Sequence, residues 1–170
     1  MELIGLNMPS EGVLPIVVTG VIAGLVGTVV MDVLNVLFAR KRLISRIDVA
    51  TIGRMAAGWA RGRFCYGNPN EMQQVRNEVF IGFTTHYTIG VVLSVPFVLG
   101  WNFLVGGPAS PVWALAYGVA TTAASWFFVF PSMGFGAFGR RSPEGLTATL
   151  SSLANHLFYG VGLAIGIALV

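Results

Sequence analysis

Three titratable side chains lie inside apolar segments, and they are the residues of this sequence best suited to chemistry. Asp32, His86 and His156 each interrupt a different hydrophobic stretch. A charged or titratable group in hydrocarbon costs several kcal/mol unless it is paired or hydrated, so such residues mark functional sites by default. A carboxylate beside two imidazoles can pass protons at neutral pH, where histidine changes its charge.

The three residues are predicted to lie at one depth. Each is eight to ten residues from the loop-side end of its apolar segment. At about 1.5 Å per residue, this places all three roughly 12 to 15 Å along their helices. Pro131, in the third segment, leaves the carbonyl of Phe127 without its helical hydrogen bond and predicts a kink. We therefore expect one intramembrane polar site, with supporting groups from Thr28, Asn35, Ser125, Pro131 and Tyr159.

A metal or haem site is an alternative use of the same residues. Two histidines on facing helices could ligate a haem iron, and with Asp32 they could form a facial triad for a non-haem metal. Met31 and Met133 would suit a soft metal. The close His and Cys spacings typical of metal motifs are absent. No cofactor is therefore expected, and haem or a transition metal stays an open alternative.

The composition predicts an integral membrane protein. The 170 residues are 55% hydrophobic and 10% charged, with a mean hydropathy of +0.76, so the chain cannot present a polar surface on all sides. Four apolar stretches, over 13–39, 79–105, 112–138 and 146–170, exceed the roughly 20 residues needed to cross a bilayer. We predict one all-α membrane domain over residues 1–170, a four-helix antiparallel bundle. The short Gly/Pro turn before Pro111 predicts that the second and third helices are antiparallel neighbours.

The basic residues predict the orientation. Eight of the ten lie between the first and second helices and two between the third and fourth. By the positive-inside rule, the loop 40–78 is expected to be cytoplasmic and both termini to lie outside, on the far side of the membrane. Residues 1–15 carry no basic residue and are expected to be a short translocated tail. Six basic residues are predicted to contact lipid headgroups: Arg40, Lys41, Arg42, Arg46, Arg140 and Arg141.

Within the cytoplasmic loop, apolar residues from Val49 to Trp59 recur at helical spacing and favour a short interfacial helix. An irregular loop held by arginine and phosphate is the alternative. The positive charge is explained by topology, so the lipid bilayer, and not nucleic acid, is the expected partner.

Small residues predict how the helices pack, because lipid supplies no hydrophobic drive between helices and close backbone approach must hold them together. Gly20, Gly24, Thr28 and Asp32 recur every four residues on the first helix. Gly82, His86 and Gly90 do so on the second, and Ser152, His156 and Gly160 on the fourth. The three titratable side chains therefore share a face with packing glycines and are expected to face the bundle interior.

Several runs of residues resemble an uncharacterised bacterial family of inner-membrane proteins, domain of unknown function 2938. They are Gly24 to Asp32, Gly53-Arg54, Arg61 to Phe64, His86 to Gly90, Pro131 to Ala137 and His156 to Leu163. The resemblance covers nearly the whole chain and brings no assigned activity. It implies a multi-pass protein of a bacterial inner membrane, whose termini would lie in the periplasm. The sequence departs from that family at Phe130, where glutamine is usual, and at Gly58, where histidine is common.

Two functions are consistent with the pattern. The first is proton-linked handling of a small solute or ion through Asp32, His86 and His156. Because four helices give little wall for alternating access, it requires a homo-oligomer. The second is a non-catalytic subunit or assembly factor of a larger membrane complex. Covalent catalysis is not indicated, since the sequence has no Gly-x-Ser-x-Gly elbow, P-loop or carboxylate pair on one face. An enzyme acting on a lipid or prenyl substrate stays open.

Overall fold

The computed structural model describes residues 12–170, and every regular element within them is helical. The elements are α1 (Val13–Arg40), α2 (Val49–Trp59), α3 (Glu78–Leu104), α4 (Pro111–Ser132) and α5 (Leu146–Ala168). All except α2 are long and apolar enough to cross a membrane. The predicted four membrane-spanning helices are confirmed. Most of the expected N-terminal tail, residues 1–11, lies outside the described residues.

Glycines bring three pairs of helices into backbone contact, α1 with α3, α1 with α5 and α4 with α5. A Cβ on Gly24 would lie 2.8 Å from the Cα of Val91, and one on Gly162 would lie 2.6 Å from the Cα of Gly27. A Cβ on Gly160 would lie 3.0 Å from the Cα of Leu115. Real side chains do not fit at these distances, so the glycines set how closely the helices approach. Gly20, Gly24, Gly90 and Gly160, which the sequence indicates as packing residues, all lie in such close contacts.

The two helices joined by the Gly/Pro turn, α3 and α4, meet differently. Among the described residues their backbones do not pack closely. They touch through aromatic side chains near the turn, where Phe97 stacks on Tyr117 at 4.3 Å between ring centroids and Trp101 lies 5.5 Å from Trp113. The Tyr117 hydroxyl also donates to the carbonyl of Leu93 at 2.6 Å. The prediction that these helices are close neighbours is correct at this end alone, because the bulky rings hold the backbones apart.

The third membrane helix is shorter than predicted. It ends at Ser132, not at residue 138. Gly134 and Gly136 follow with φ of 80° and 68°, a conformation that glycine adopts without strain and that ends a helix. The helix widens into a π-helical turn over Ser125–Val129, just before Pro131. The irregularity predicted from Pro131 is present, in the form of this turn.

The long loop contains the predicted short helix, and α2 packs on the first turns of α3. Asp48 caps it by accepting from the backbone N–H groups of Ala50 and Thr51, which satisfies donors that have no helical partner. Gly53 of α2 and Gly82 of α3 each face a backbone carbonyl of the other helix. Arg54 holds the Glu78 carboxylate with two hydrogen bonds of 2.8 Å. Gly82 therefore packs against α2 and not against another membrane helix.

Residues after α2 form a strap that crosses the end of α4. The Ser132 hydroxyl donates to the carbonyl of Phe64 at 2.8 Å, and the N–H of Tyr66 donates to the carbonyl of Pro131. Side chains of α2, the strap and α4 form a buried apolar cluster beneath it: Ile52, Met55, Tyr66, Met72 and Met133. The strap and α2 together cover the loop end of the bundle.

Candidate functional site

Asp32 and His86 form a pair across α1 and α3. The His86 Nε2 lies 2.9 Å from Oδ1 of Asp32, and the Tyr87 hydroxyl donates to Oδ2 at 3.1 Å. The Asp32 side chain is 25% exposed and the His86 side chain is 12% exposed. Gly24 and Gly90 let α1 and α3 approach closely one to two turns away, which brings the carboxylate and the imidazole into reach. The sequence prediction that Asp32 needs a polar partner in the membrane is met by two groups of α3.

His156 lies on the opposite pair of helices. Its Nδ1 is 2.8 Å from the Thr121 hydroxyl of α4, and that hydroxyl is 2.6 Å from the carbonyl of Gly118. Gly118 and Gly160 face each other across α4 and α5. This close contact brings Thr121, one turn along α4, against the imidazole.

The three predicted residues do not converge on one point. No hydrogen bond joins His156 to Asp32 among the described residues. Within residues 12–170, no group of three or more His, Cys, Asp and Glu side chains is close enough to hold a metal ion. The facial triad of Asp32, His86 and His156 considered from the sequence is therefore not assembled. Asp32 borders a separate groove with Arg46, Val49 and Phe83.

The two histidines share a cavity of about 350 Å³. It lies between α3 and α4, whose backbones do not pack closely, and α1, α2, α5 and the loops at one end also contribute to its wall. Its apolar lining includes Ile89, Leu93, Val129 and Phe130, and its hydroxyls include those of Ser125 and Ser152. A mostly apolar lining with a few polar groups is typical of a small-molecule site. Three charged residues also line it, Arg46, Asp48 and Glu144, and all three belong to the loops at one end of the bundle.

A hydrogen-bond network around Asn35 holds the loop end of this cavity in place. The Asn35 amide nitrogen donates to the Ser45 carbonyl at 2.9 Å and to Oδ1 of Asn155 at 3.0 Å, and its Oδ1 accepts from the N–H of Ile47 at 3.2 Å. The Ser151 hydroxyl accepts from the N–H of Ser45 at 2.7 Å. Asn35 was predicted as a supporting residue, and its role is to hold the loop after α1. Asn155 was not predicted, because it lies outside the four-residue repeat of Ser152, His156 and Gly160 on the last helix.

The other supporting residues have local partners. Ser152 donates to Ser125 at 3.0 Å, Tyr159 donates to the carbonyl of Gly90 at 2.5 Å, and Thr28 donates to the carbonyl of Gly24 at 2.9 Å. Two of the basic residues predicted to contact headgroups also contact protein. Arg46 lines the cavity, and Arg141 donates to the carbonyl of Gly67 at 2.8 Å.

The hydrogen-bond partners assign the ring tautomers of both histidines in their neutral forms. A carbonyl can only accept, so the single hydroxyl proton of Thr121 lies on the Gly118 carbonyl, and Nδ1 of His156 must donate to Thr121. When Asp32 is ionised, its carboxylate likewise only accepts, and Nε2 of His86 then carries the proton. The nitrogens left as acceptors are Nε2 of His156 and Nδ1 of His86. Neither has a protein partner in the described part of the chain.

Comparison with known proteins gives a family and no activity. A family model described as "Protein of unknown function (DUF2938)" matches residues 21–170. No curated protein and no solved structure matches the chain. The resemblance identified from the sequence motifs is confirmed.

Proposed function

The chain belongs to this family of unknown function, DUF2938, and from the geometry of its interior we propose that it handles a small solute in the cavity between α3 and α4, with a proton exchanged at Asp32 and His86. The observation that carries this proposal is the position of His86. One ring nitrogen is paired with the Asp32 carboxylate at 2.9 Å, while the residue itself lines the cavity of about 350 Å³.

The pair is suited to coupling because its partners lie on different sides of the histidine. Asp32 borders a groove between α1, α3 and the loop before α2, and it does not line the cavity. A solute in the cavity that changes the hydrogen bonding of His86 therefore changes how a proton is shared between His86 and Asp32, without touching Asp32. Such linkage between a ligand and a proton is reciprocal, so the proton also changes solute affinity.

The proposal includes a setting and an assembly. Eight of the ten basic residues lie between the first and second spans, which supports a cytoplasmic loop end, periplasmic termini and a location in a bacterial inner membrane. The cavity would then open towards the cytoplasm. Because transport needs more wall than four helices supply, the working unit is a homo-oligomer, which the mass of the purified protein in detergent would test.

Reconstitution into liposomes tests the function. The protein is inserted into vesicles that enclose a pH-sensitive dye, and inward gradients of small solutes are applied: sugars, amino acids, alkyl alcohols, phenols and ammonium salts. At least one solute class is expected to change the internal pH at a rate above that of protein-free vesicles. Asp32→Asn and His86→Gln should abolish this difference, while Val33→Ala, at a 53% exposed neighbour, should retain it.

Two results would overturn the proposal. Equal proton movement in the wild type and in Asp32→Asn would remove the pair from the coupling. Hydrogen bonds between membrane helices can also serve only to stabilise the bundle, at about 0.6 kcal/mol each on average. A loss of folded yield or thermal stability in both Asp32→Asn and His86→Gln would therefore assign the pair to helix association.

A further inference from the structure

The unpaired histidine nitrogens carry information about what the cavity binds. We infer that its ligand is a neutral, largely apolar molecule with a hydroxyl group, such as a phenol or a lipid-soluble alcohol, that donates to His156 Nε2 or His86 Nδ1. This inference rests on the proposed function, because it names the solute class of the same cavity.

The first step is the direction of the hydrogen bonds. The Thr121 hydroxyl donates its one proton to the Gly118 carbonyl at 2.6 Å, and it therefore accepts from Nδ1 of His156 at 2.8 Å. Asp32 accepts from Nε2 of His86 at 2.9 Å. Both imidazoles are thus fixed from behind, and each neutral ring offers its other nitrogen as an acceptor.

The second step is the access to those nitrogens. Among the described residues, the fully buried side-chain nitrogens and oxygens without a partner belong to Trp59, Thr122 and Trp126. The acceptor nitrogens of the two histidines are not in this group and have no hydrogen bond, so both retain accessible surface. Both residues line the cavity, so the proposed ligand is placed there within reach of these nitrogens.

The third step is the charge and polarity of the surroundings. Beside the histidines the cavity presents serine and threonine hydroxyls and aliphatic side chains, and its ionised loop residues lie at the loop end. Among the described residues, the basic side chain in the cavity lining is Arg46, and the acidic Asp48 and Glu144 outweigh it, so an anion would meet no net positive charge there. The described residues also assemble no three-ligand metal site. A neutral donor on an apolar body satisfies the acceptors and the apolar wall together, because an unpaired buried acceptor costs free energy that a hydroxyl recovers.

A matched pair of ligands tests the inference. Binding of para-hexylphenol and of its methyl ether is measured on the protein in lipid nanodiscs, with empty nanodiscs as the partition control. The two molecules have similar shape, and the ether cannot donate. The phenol is expected to bind about tenfold more tightly, the effect of one hydrogen bond to an otherwise unpaired buried acceptor.

Thr121 supplies the variant that separates recognition from shape. Thr121→Val keeps the volume and removes the acceptor behind Nδ1, so His156 can adopt either tautomer and the preference for the phenol should fall. Thr121→Ser should retain the preference. The chain has two histidines, so nitrogen-15 labelling of histidine reads both tautomers directly, and His156 should lose its fixed tautomer in Thr121→Val alone.

Each contrary result has a distinct meaning. Equal binding of phenol and ether to the wild type would overturn the hydroxyl assignment. An unchanged preference in Thr121→Val would support the assignment with Nδ1 of His86, and not Nε2 of His156, as the acceptor. Perturbation of both histidine rings by a Cu(I) salt, without binding of the phenol, would assign the nitrogens to a metal instead. In either case, solute-driven proton movement that still depends on Asp32 would leave the proposed function standing, so the two failures are distinguishable.

Discussion

The contact between α1 and α5 and the contact between α3 and α4 are built from different residues. Across the first, Gly162 faces Gly27 and Gly166 faces Ala23, where an added Cβ would lie 2.6 Å and 2.5 Å from the opposite Cα atoms. Across the second, aromatic rings meet near the turn, and within residues 12–170 the backbones of α3 and α4 do not pack closely beyond them. The glycine contact is closed along its length, while the aromatic contact leaves room for a cavity.

This difference shows how a four-helix membrane protein of 170 residues can hold an interior site. Small residues draw helices together until no space is left. Rings of Phe97, Tyr117, Trp101 and Trp113 act as spacers at one end. The cavity exists because one of the helix contacts is not made with glycine.

The largest expected effect comes from adding one methyl group to the closed contact. Gly162→Ala places a Cβ against the backbone of Gly27, so α1 and α5 must separate. We expect a loss of about 3 kcal/mol in unfolding free energy, the upper range for overpacking. Unfolding in mixed detergent micelles measures it.

Gly100→Ala is the matched control, because nothing lies within 4 Å of the Cβ it would add. It should leave stability unchanged or raise it by up to about 1 kcal/mol, since alanine favours a helix more than glycine does. Equal losses in both variants would contradict the described contact between α1 and α5.

A smaller effect is expected at the hydrogen-bond network around Asn35, at the loop end of the cavity. Asn35→Ala leaves the Ser45 carbonyl, the Ile47 N–H and Asn155 without a partner. Thermal and denaturant unfolding should show a loss of about 2 kcal/mol. Asn102→Ala removes a hydrogen bond within one helix, to the Val98 carbonyl, and should cost less. Equal losses of stability in the two variants would mean that the network around Asn35 contributes no more than a hydrogen bond within one helix.

The smallest effect is expected at the aromatic end of the open contact. Phe97→Ala removes the ring that stacks on Tyr117 at 4.3 Å, with an expected loss of about 1 kcal/mol. Spin labels at Val92 and Val119, both exposed, should show a broader distance distribution between α3 and α4. Tyr117→Phe keeps the ring and should leave that distribution narrow. A narrow distribution in Phe97→Ala would mean that other contacts hold these helices.

The sequence predicts the spans well because a bilayer imposes a length and an apolar composition that 18 or more residues must satisfy together. Its four-residue repeat of small residues includes Gly24 and Gly160, which lie in close helix contacts. It does not include Gly27, Gly162 or Gly166, which form the contact between α1 and α5. The sequence does not predict where the third helix ends. Residues 133–138 are apolar enough to continue the span, and the positive φ of Gly134 and Gly136 ends it.

The site is predicted in its members and not in its grouping. Asp32, His86 and His156 stand out because titratable groups are costly in hydrocarbon. Their equal depth does not specify which helices face each other, so the sequence could not separate the pair of Asp32 and His86 from the pair of His156 and Thr121. The spacing effect of the aromatic rings was also not evident, since aromatic residues of membrane helices also face lipid and lie at the membrane interfaces.

The most direct measurement is the reactivity of cysteines placed in the open and closed contacts. In a Cys65→Ala background, Ser125→Cys lies in the cavity and Ser94→Cys lies in the closed contact between α1 and α3, where Ser94 is 0% exposed and donates to the Gly20 carbonyl. A small water-soluble thiol reagent should modify the cysteine at 125 and leave the one at 94 unmodified in the folded protein. Protection of both would contradict a solute-accessible cavity between α3 and α4.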